Sequence, residues 1–592
     1  MQQSSLGHSG LRAWALVIAA ATLAAMASSA HAEEVVNAAA GSSPEAGATL
    51  EVREGLVDGP SIWQVLSAQY ELPTTEPPDP FISGLRDAPA QLTLRDAVLT
   101  AVQNNPAVIA ESLSPLAQET GILEAQAQFD PILGGDVGLG RNANPVSNVL
   151  NASSEGSLRV TQTNANWDFG LSKALRSGAA FSLDWDNARS TNDARLGLLD
   201  APFQLFNPQL VPQLTASLNQ PLLRGFGLYF TSLRIRIAES ATDAAIENYR
   251  AAVANFIRGV IANYWAVVGL EERLDVLNGS LELAEKTVRD NRTRVDVGVL
   301  PPVAVLESEA EAARRKEEVI VATNDLSQAR LQLRTQVYLP SDNPFLPRAV
   351  QPIDRPTDDK IDVMVEEALQ IAMEKRPEIQ AAKLQYKGRE LNTALNENGV
   401  LPKLDLFGSL GVNGLAGSNT TDVVEYFEGN YGDSLETMVD GRFYSYQAGV
   451  RIEIPIGNAG AKARATRARV EEQQTFTRYR QTVADVSLEV GRAVSDVLSD
   501  EKRIETTRVA RELSEQNLRN QTKRYEVGMV TTTDLLKFQN DLAAAKVSHI
   551  QAMIEYNISQ AELERAQGTI LSRFNVTIEP RGETETPWWA TF

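Results

Sequence analysis

Apolar positions change rhythm along this chain. Between Pro221 and Gly298 the turn signals vanish, and apolar side chains recur at Val253, Phe256, Val260, Val267, Leu270, Leu274, Leu277, Leu281 and Val288. Steps of three and four residues, with an occasional skipped position, form a heptad seam and predict a helix over 239–293. At 1.5 Å per residue it would run roughly 80 Å. A similar run from Thr466 to Tyr525 predicts a second long helix. Helices of this length cannot bury one face in an ordinary core and need parallel neighbours along their whole length. Gly298 and Gly528 break them, because glycine takes the left-handed conformation that ends a helix. New helices are predicted at once, over 303–337 behind Pro301-Pro302 and over 532–573. Thr532 or Thr533 would cap the latter, with Asp534 in its first turn. Each pair reads as one antiparallel helical hairpin with its tip at the glycine.

Elsewhere the period is two. Ile132 to Gly140 and Leu404 to Val412 each follow a proline and alternate. Leu158 to Phe169 and Phe181 to Asn187 alternate as well, with Trp167 and Trp185 as interface aromatics. Leu214 to Gln220 and Tyr446 to Ile454 lead into proline motifs. These runs approach the length a tilted barrel strand needs. A small soluble sheet is the alternative.

The punctuation recurs in order. Pro106 and Pro377, Pro131 and Pro402, and Gly140 and Gly411 are each 271 positions apart. Gln220-Pro221-Leu222-Leu223 precedes Ile454-Pro455-Ile456 by 234, and Gly298 precedes Gly528 by 230, as Leu306 precedes Leu536. The chain therefore divides into a first repeat, 91–350, with strands about 132–220, and a second, 362–580, with strands about 403–455, joined by a linker at 351–361. The shrinking offset places an extra hairpin in the first repeat, which either lengthens the β section or adds strands to it. Short helices open each repeat and end at Asn105-Pro106 and Arg376-Pro377. Ahead of the repeats, Arg12, the apolar run Ala13 to Ala27 and Ala30-His31-Ala32 predict a signal peptide over 1–32. A proline-rich flexible arm follows over 33–90, and a tail closes the chain at 581–592.

Composition narrows the chemistry. The 592 residues include no cysteine and three histidines, of which only His549 lies beyond the leader. Disulfides, thiolate metal sites and a cysteine nucleophile are excluded, and neither a metal centre nor a cofactor is expected. A net charge of −21 argues against a nucleic-acid partner. No Gly-rich phosphate loop or recognisable catalytic constellation is present, so no enzyme is expected. After the leader no run of eighteen apolar residues occurs, so any span of a membrane would be a β-barrel. Four strands, or six with the extra hairpin, are too few to close one, and copies must combine.

The duplication, the Asn105-Pro106 and Arg376-Pro377 breaks, the strand exits at Pro221 and Pro455, and the Val297-Gly298 and Val527-Gly528 tips together resemble TolC-type outer-membrane efflux proteins over about 91–580. The resemblance implies a mainly α fold. Duplicated long-helix hairpins would form a periplasmic α-barrel, and a few strands per chain would complete a trimeric outer-membrane β-barrel of twelve strands. It implies the exit duct of a tripartite efflux or type I secretion system, working as a homotrimer with a periplasmic adaptor and an inner-membrane pump. It places adaptor docking at Val297, Gly298, Val299, Val527, Gly528 and Met529, and a periplasmic gate at Tyr525 and Asp534. Lys537 stands where the family has a second acid, and Val530 where it has a locking arginine, so either Glu307 and Lys537 form another latch or the tip is held loosely. Asp534 reads equally as a helix-start carboxylate. Basic clusters at Arg224, Arg234 and Arg236 and at Lys462, Arg464, Arg467 and Arg469 suit anionic lipid headgroups or a solvated face. The rival reading is an exported coiled-coil spacer, which leaves the proline-bounded strands unexplained.

Overall fold

The computed structural model describes residues 89–145, 152–153, 159–196, 201–202, 204–339, 348–420 and 425–578. The expected signal peptide 1–32, nearly all of the arm 33–90 and the tail 581–592 lie outside the described residues.

Helices α1 (Leu94–Asn104) and α2 (Pro106–Gln126) lead into strand β1 (Ile132–Pro145). Strands β2 (Arg159–Ala174), β3 (Ala180–Asn192) and β4 (Phe206–Pro221) follow, then α3 (Leu228–Asp296) and α4 (Val303–Val337). The second half has α5 (Val365–Lys375), α6 (Pro377–Asn398), β5 (Lys403–Asn413), α7 (Tyr431–Val439), β6 (Tyr444–Glu453), α8 (Ala459–Glu526) and α9 (Thr532–Gln567). Predicted 303–337 coincides with α4. The predicted helix 239–293 starts a further three turns earlier, and 532–573 is interrupted at Gly568, whose φ of +74° ends α9 before the single turn Ile570–Arg573.

All six predicted strands join one antiparallel sheet in the order β6-β5-β4-β3-β2-β1, with a short strand, Ala416–Asn419, paired beside β4. The extra hairpin, β2–β3, therefore adds strands. Registers put Trp185 opposite Leu214, Leu214 opposite Val412 and Val412 opposite Tyr444. Because side chains alternate, one face collects Val137, Trp167, Leu183, Leu218, Leu410 and Val450. The other collects Asp136, Asn166, Asp184, Ser217, Ser409 and Gln447. β4 begins earlier than its predicted start because it runs through Pro208 and Pro212, which read as breakers. Helix α7 was not expected. It is fastened by an Asn430–Asp433 capping box, and Tyr431 meets Trp167 edge-on at 5.3 Å while donating to Asn187 Oδ1 at 2.5 Å.

Apart from α7, which sits between β5 and β6 at the far end, the helices join the strands at one end of the sheet. Beyond these junctions the apolar core sits midway along the long helices. On one side Ile257, Ile261, Tyr264 and Val267 of α3 meet Val98 of α1 and Leu333 of α4. On the other Val490, Val494 and Val497 of α8 meet Ala368 of α5 and Tyr556 of α9. Each of the Val, Ile and Leu side chains contributes about 1.5–3 kcal/mol by leaving water. α3 is apolar and long enough to cross a membrane by composition, but more than half of that stretch is buried against its neighbours. Burial pushes the Tyr264 phenol up to about 12, and its oxygen accepts from Ile353 and Asp354 amides at 3.2 Å each. The basic clusters fall just past the strand exits, in the turn before α3 and the first turns of α3 and α8.

Candidate functional site: the helical tips

The two tips share one backbone device. Val299 N–H donates to Arg294 O at 2.8 Å and Met529 N–H to Arg524 O at 2.9 Å, each bond reaching back over a glycine with φ near +80° (Gly298 +79°, Gly528 +77°). This closes the last carbonyls of α3 and α8. It also turns four apolar side chains outward: Val297, Val299, Val527 and Met529 are each about 70% exposed.

The restarts differ. α4 begins behind Pro302 with no side-chain cap. α9 begins with a capping box whose cap is Thr531, not Thr532 or Thr533 as expected. The reason is spacing: a reciprocal box needs the acid three residues after the cap, and Asp534 satisfies it only from Thr531. Asp534 Oδ2 accepts from Thr531 Oγ1 at 2.6 Å, and Thr531 Oγ1 accepts from Asp534 N–H at 3.1 Å. The Asp534 carboxylate remains exposed at its position.

Between the hairpins lies a buried polar cluster. Tyr525 is 5% exposed and Asn291 fully buried. The Tyr525 hydroxyl donates to Asn291 Oδ1, and Asn291 Nδ2 donates to Ala304 O at 3.3 Å. Arg294 caps the arrangement, with its guanidinium 4.7 Å from the Tyr525 ring centroid and Nη1 donating to Tyr525 O at 3.2 Å. One turn on, Gln539 Nε2 donates to Thr287 Oγ1 at 3.2 Å. Tyr525 thus ties α3 to α8 within one chain. Glu307 and Lys537 are not joined within the chain: Glu307 Oε2 accepts from Thr533 Oγ1 at 3.0 Å, and Lys537 is exposed. Asn291 and Arg294 were given no site role from the sequence, and Thr532 was read only as a helix cap. A signal existed for Asn291, which falls three residues after Val288, a polar residue on the apolar seam.

A second charged cluster sits at the equator. Arg376, in the second Pro break, donates to Glu489 Oε2 at 2.5 Å and Glu378 Oε2 at 2.8 Å. Arg565 bonds Glu489 and Glu562, and Arg258 Nε donates to Glu562 Oε2 at 2.8 Å. Burial pushes the Glu562 carboxyl up, but the Arg565 bonds and the charges of Arg565 and Arg258 outweigh it and hold it below the usual range. At the matching first break, Asn105 is neutral: its Oδ1 accepts from Ala107 N–H at 2.9 Å and caps α2.

A sequence model described as outer membrane efflux protein matches residues 180–337 and 368–569, more than half of the chain. The chain belongs to the outer membrane efflux protein family. It is 24% identical to outer membrane efflux protein BepC of Brucella suis biovar 1 over 358 residues, 59% of this chain and 71% of that one. Its fold is that of solved outer-membrane channels. The Campylobacter jejuni CmeC channel superposes with a TM-score of 0.57 at 15% identity, covering 84% of this chain and 94% of that one. The open-state MtrE channel of Neisseria gonorrhoeae gives 0.54 at 18%, covering 84% and 98%. This family member is an outer-membrane exit duct for efflux. Its strands form the β section in the outer membrane, and its long helices extend into the periplasm.

Proposed function

We propose that three copies of the chain assemble into one tube, fed from an inner-membrane pump through a periplasmic adaptor in a tripartite efflux or type I secretion system. The open sheet carries this reading. Six strands fall short of the eight a barrel needs, and among the described residues β1 and β6 each pair on one side only. The adaptor docks at the tips, where Val297, Val299, Val527 and Met529 offer apolar knobs beside Gly298 and Gly528. Tyr525 holds the hairpins together behind the gate. The exposed Asp534 carboxylates, brought together around a threefold axis, favour cations and repel anions. Glu307 and Lys537 flank them and trim that charge between copies. The exposed Leu228, Ile454 and Ile456, beside the basic clusters, meet outer-membrane lipid. The duct conducts and catalyses nothing itself.

The detergent-corrected mass of protein extracted from outer membranes tests the assembly. Three chains are expected; a monomer or an open-ended filament in the soluble periplasm would restore the coiled-coil spacer. In planar bilayers Asp534→Ala is expected to weaken cation preference, and an unchanged reversal potential would remove Asp534 from the gate.

A further inference from the structure

We propose that the β2–β3 hairpin is part of the membrane wall, so that three chains close a barrel of eighteen strands, with β1 of one copy joined to β6 of the next. This rests on the trimeric reading above and goes beyond it.

Four observations lead here. The hairpin is hydrogen-bonded along both sides, β2 to β1 from Ile132↔Ser172 to Pro145↔Arg159 and β3 to β4 from Ala180↔Asn219 to Ser190↔Gln209. It is an integral segment of the sheet, not a flap above it. Its alternation is in phase with its neighbours: Phe181, Leu183 and Trp185 share a face with Leu218, Ala216 and Leu214, and Ser182 and Asp184 share the other with Ser217 and Thr215. Away from the α7 contact at Trp167 and Asn187, a hairpin in water or inside the lumen has no reason to keep Phe181 and Leu183 in an apolar stripe continuous with lipid-facing strands. Its turn is fastened to the helical junction. Thr231 Oγ1 donates to Arg176 O at 2.5 Å, Gly227 N–H to Ser177 O at 3.1 Å and Gln220 Nε2 to Ser177 O at 3.2 Å. A Cβ at Gly178 would meet Gly225 O at 2.4 Å, so the turn is locked against the start of α3. Lastly, six antiparallel strands leave β1 and β6 running in opposite directions, so a β1–β6 join is antiparallel like every other pair. Both edges present matching apolar residues, with Leu139 81% and Tyr446 74% exposed. Long apolar edges of this kind pair with another chain.

Barrel width grows about linearly with strand number, so eighteen strands give a wall about half again as wide as twelve, with roughly twice the cross-section. A wall of sixteen to eighteen strands leaves an open aqueous bore. The membrane section then ceases to be a constriction, and this duct suits bulkier cargo than a twelve-stranded one.

The natural lack of cysteine makes the test direct. Single cysteines are placed at Ser182, Leu183, Asp184 and Trp185 of the full-length protein in vesicles and exposed to a charged, membrane-impermeant thiol reagent. Ser182→Cys and Asp184→Cys are expected to react at least about tenfold faster than Leu183→Cys and Trp185→Cys, following the two-residue period of a lipid-bounded wall. Separately, Ala448→Cys on β6 is paired with cysteines at Leu133, Gly135, Val137 and Leu139 on β1. At least one pair is expected to give oxidation-dependent covalent chains up to three. Each variant's detergent-corrected mass is measured alongside. A mass other than three chains overturns the trimer and the eighteen strands together; two chains would make twelve. A three-chain mass with no alternation at 182–185, or with no cross-link at any β1 position, overturns the eighteen-stranded wall and leaves the trimer standing.

Discussion

The first half of the chain carries a helix of 69 residues followed by one of 35, and the second half carries 68 followed by 36; yet the first half places four strands in the main sheet path and the second only two. The same ancestral plan has thus been held constant in one part and altered in another. Long helices touch neighbours over their whole length, so an added turn in one leaves unpaired apolar surface. A sheet grows differently. Inserting an even number of strands between β1 and β4 preserves strand direction, side-chain phase and both outer edges. The β section has absorbed the change, and the helix lengths have stayed matched within one residue.

Equivalent positions differ in chemistry as well, and substitutions there test how deep the difference runs. The largest effect is expected at the Pro breaks. Arg376→Met strips a buried guanidinium from Glu489 and Glu378 and should cost about 3 kcal/mol, whereas Asn105→Ala removes one cap and the bond from Asn105 Nδ2 to Gln336 O and should cost about 1–2 kcal/mol. The midpoint of heat-induced helix loss reads both, and equal shifts would erase the distinction. Next comes the tip. Tyr525→Phe leaves Asn291 Oδ1 without its donor and should cost roughly 1–3 kcal/mol, read as faster protease cleavage at the tips; Val295→Ala, the matching site 230 residues earlier, should change little.

A smaller contrast lies in the helix restarts. Thr531→Ala should lose about 1 kcal/mol by opening the capping box, and Pro302→Ala about 0.4–1 kcal/mol by freeing the unfolded chain. Smallest is a pH response confined to the second half. Burial, with Arg511 and Arg508 nearby, holds the His549 imidazole below its ordinary value, while Asp358 and Glu512 pull the other way. The folded chain therefore binds fewer protons than the unfolded one as pH falls below about 6.5, and stability declines through that window. His549→Gln should flatten the melting midpoint between about pH 7.5 and 5.5. The equivalent first-half residue, Val319, offers no such group. Glu562 acts lower: its depressed carboxyl contributes stability above about pH 4.3 that is lost in stronger acid.

Much was readable in the linear chain because its causes are local. Helix periodicity and the stops at Gly298, Pro301 and Gly528 depend on backbone geometry within a few residues, so α4 could be placed from Val303 to Val337. Strand alternation is equally local, and all six runs of period two became strands of one sheet. Where a local rule had an exception, the reading failed: β4 passes through Pro208 and Pro212, and α7 is too short to show a period. Only tertiary structure decided which strands neighbour which, and hence that the extra hairpin widens the sheet rather than lengthening it. It alone paired Asn291 with Tyr525 across 234 residues and Arg376 with Glu489 across 113. Hydrogen bonds between distant residues depend on where whole helices and strands come to rest, and no periodicity along the chain encodes that.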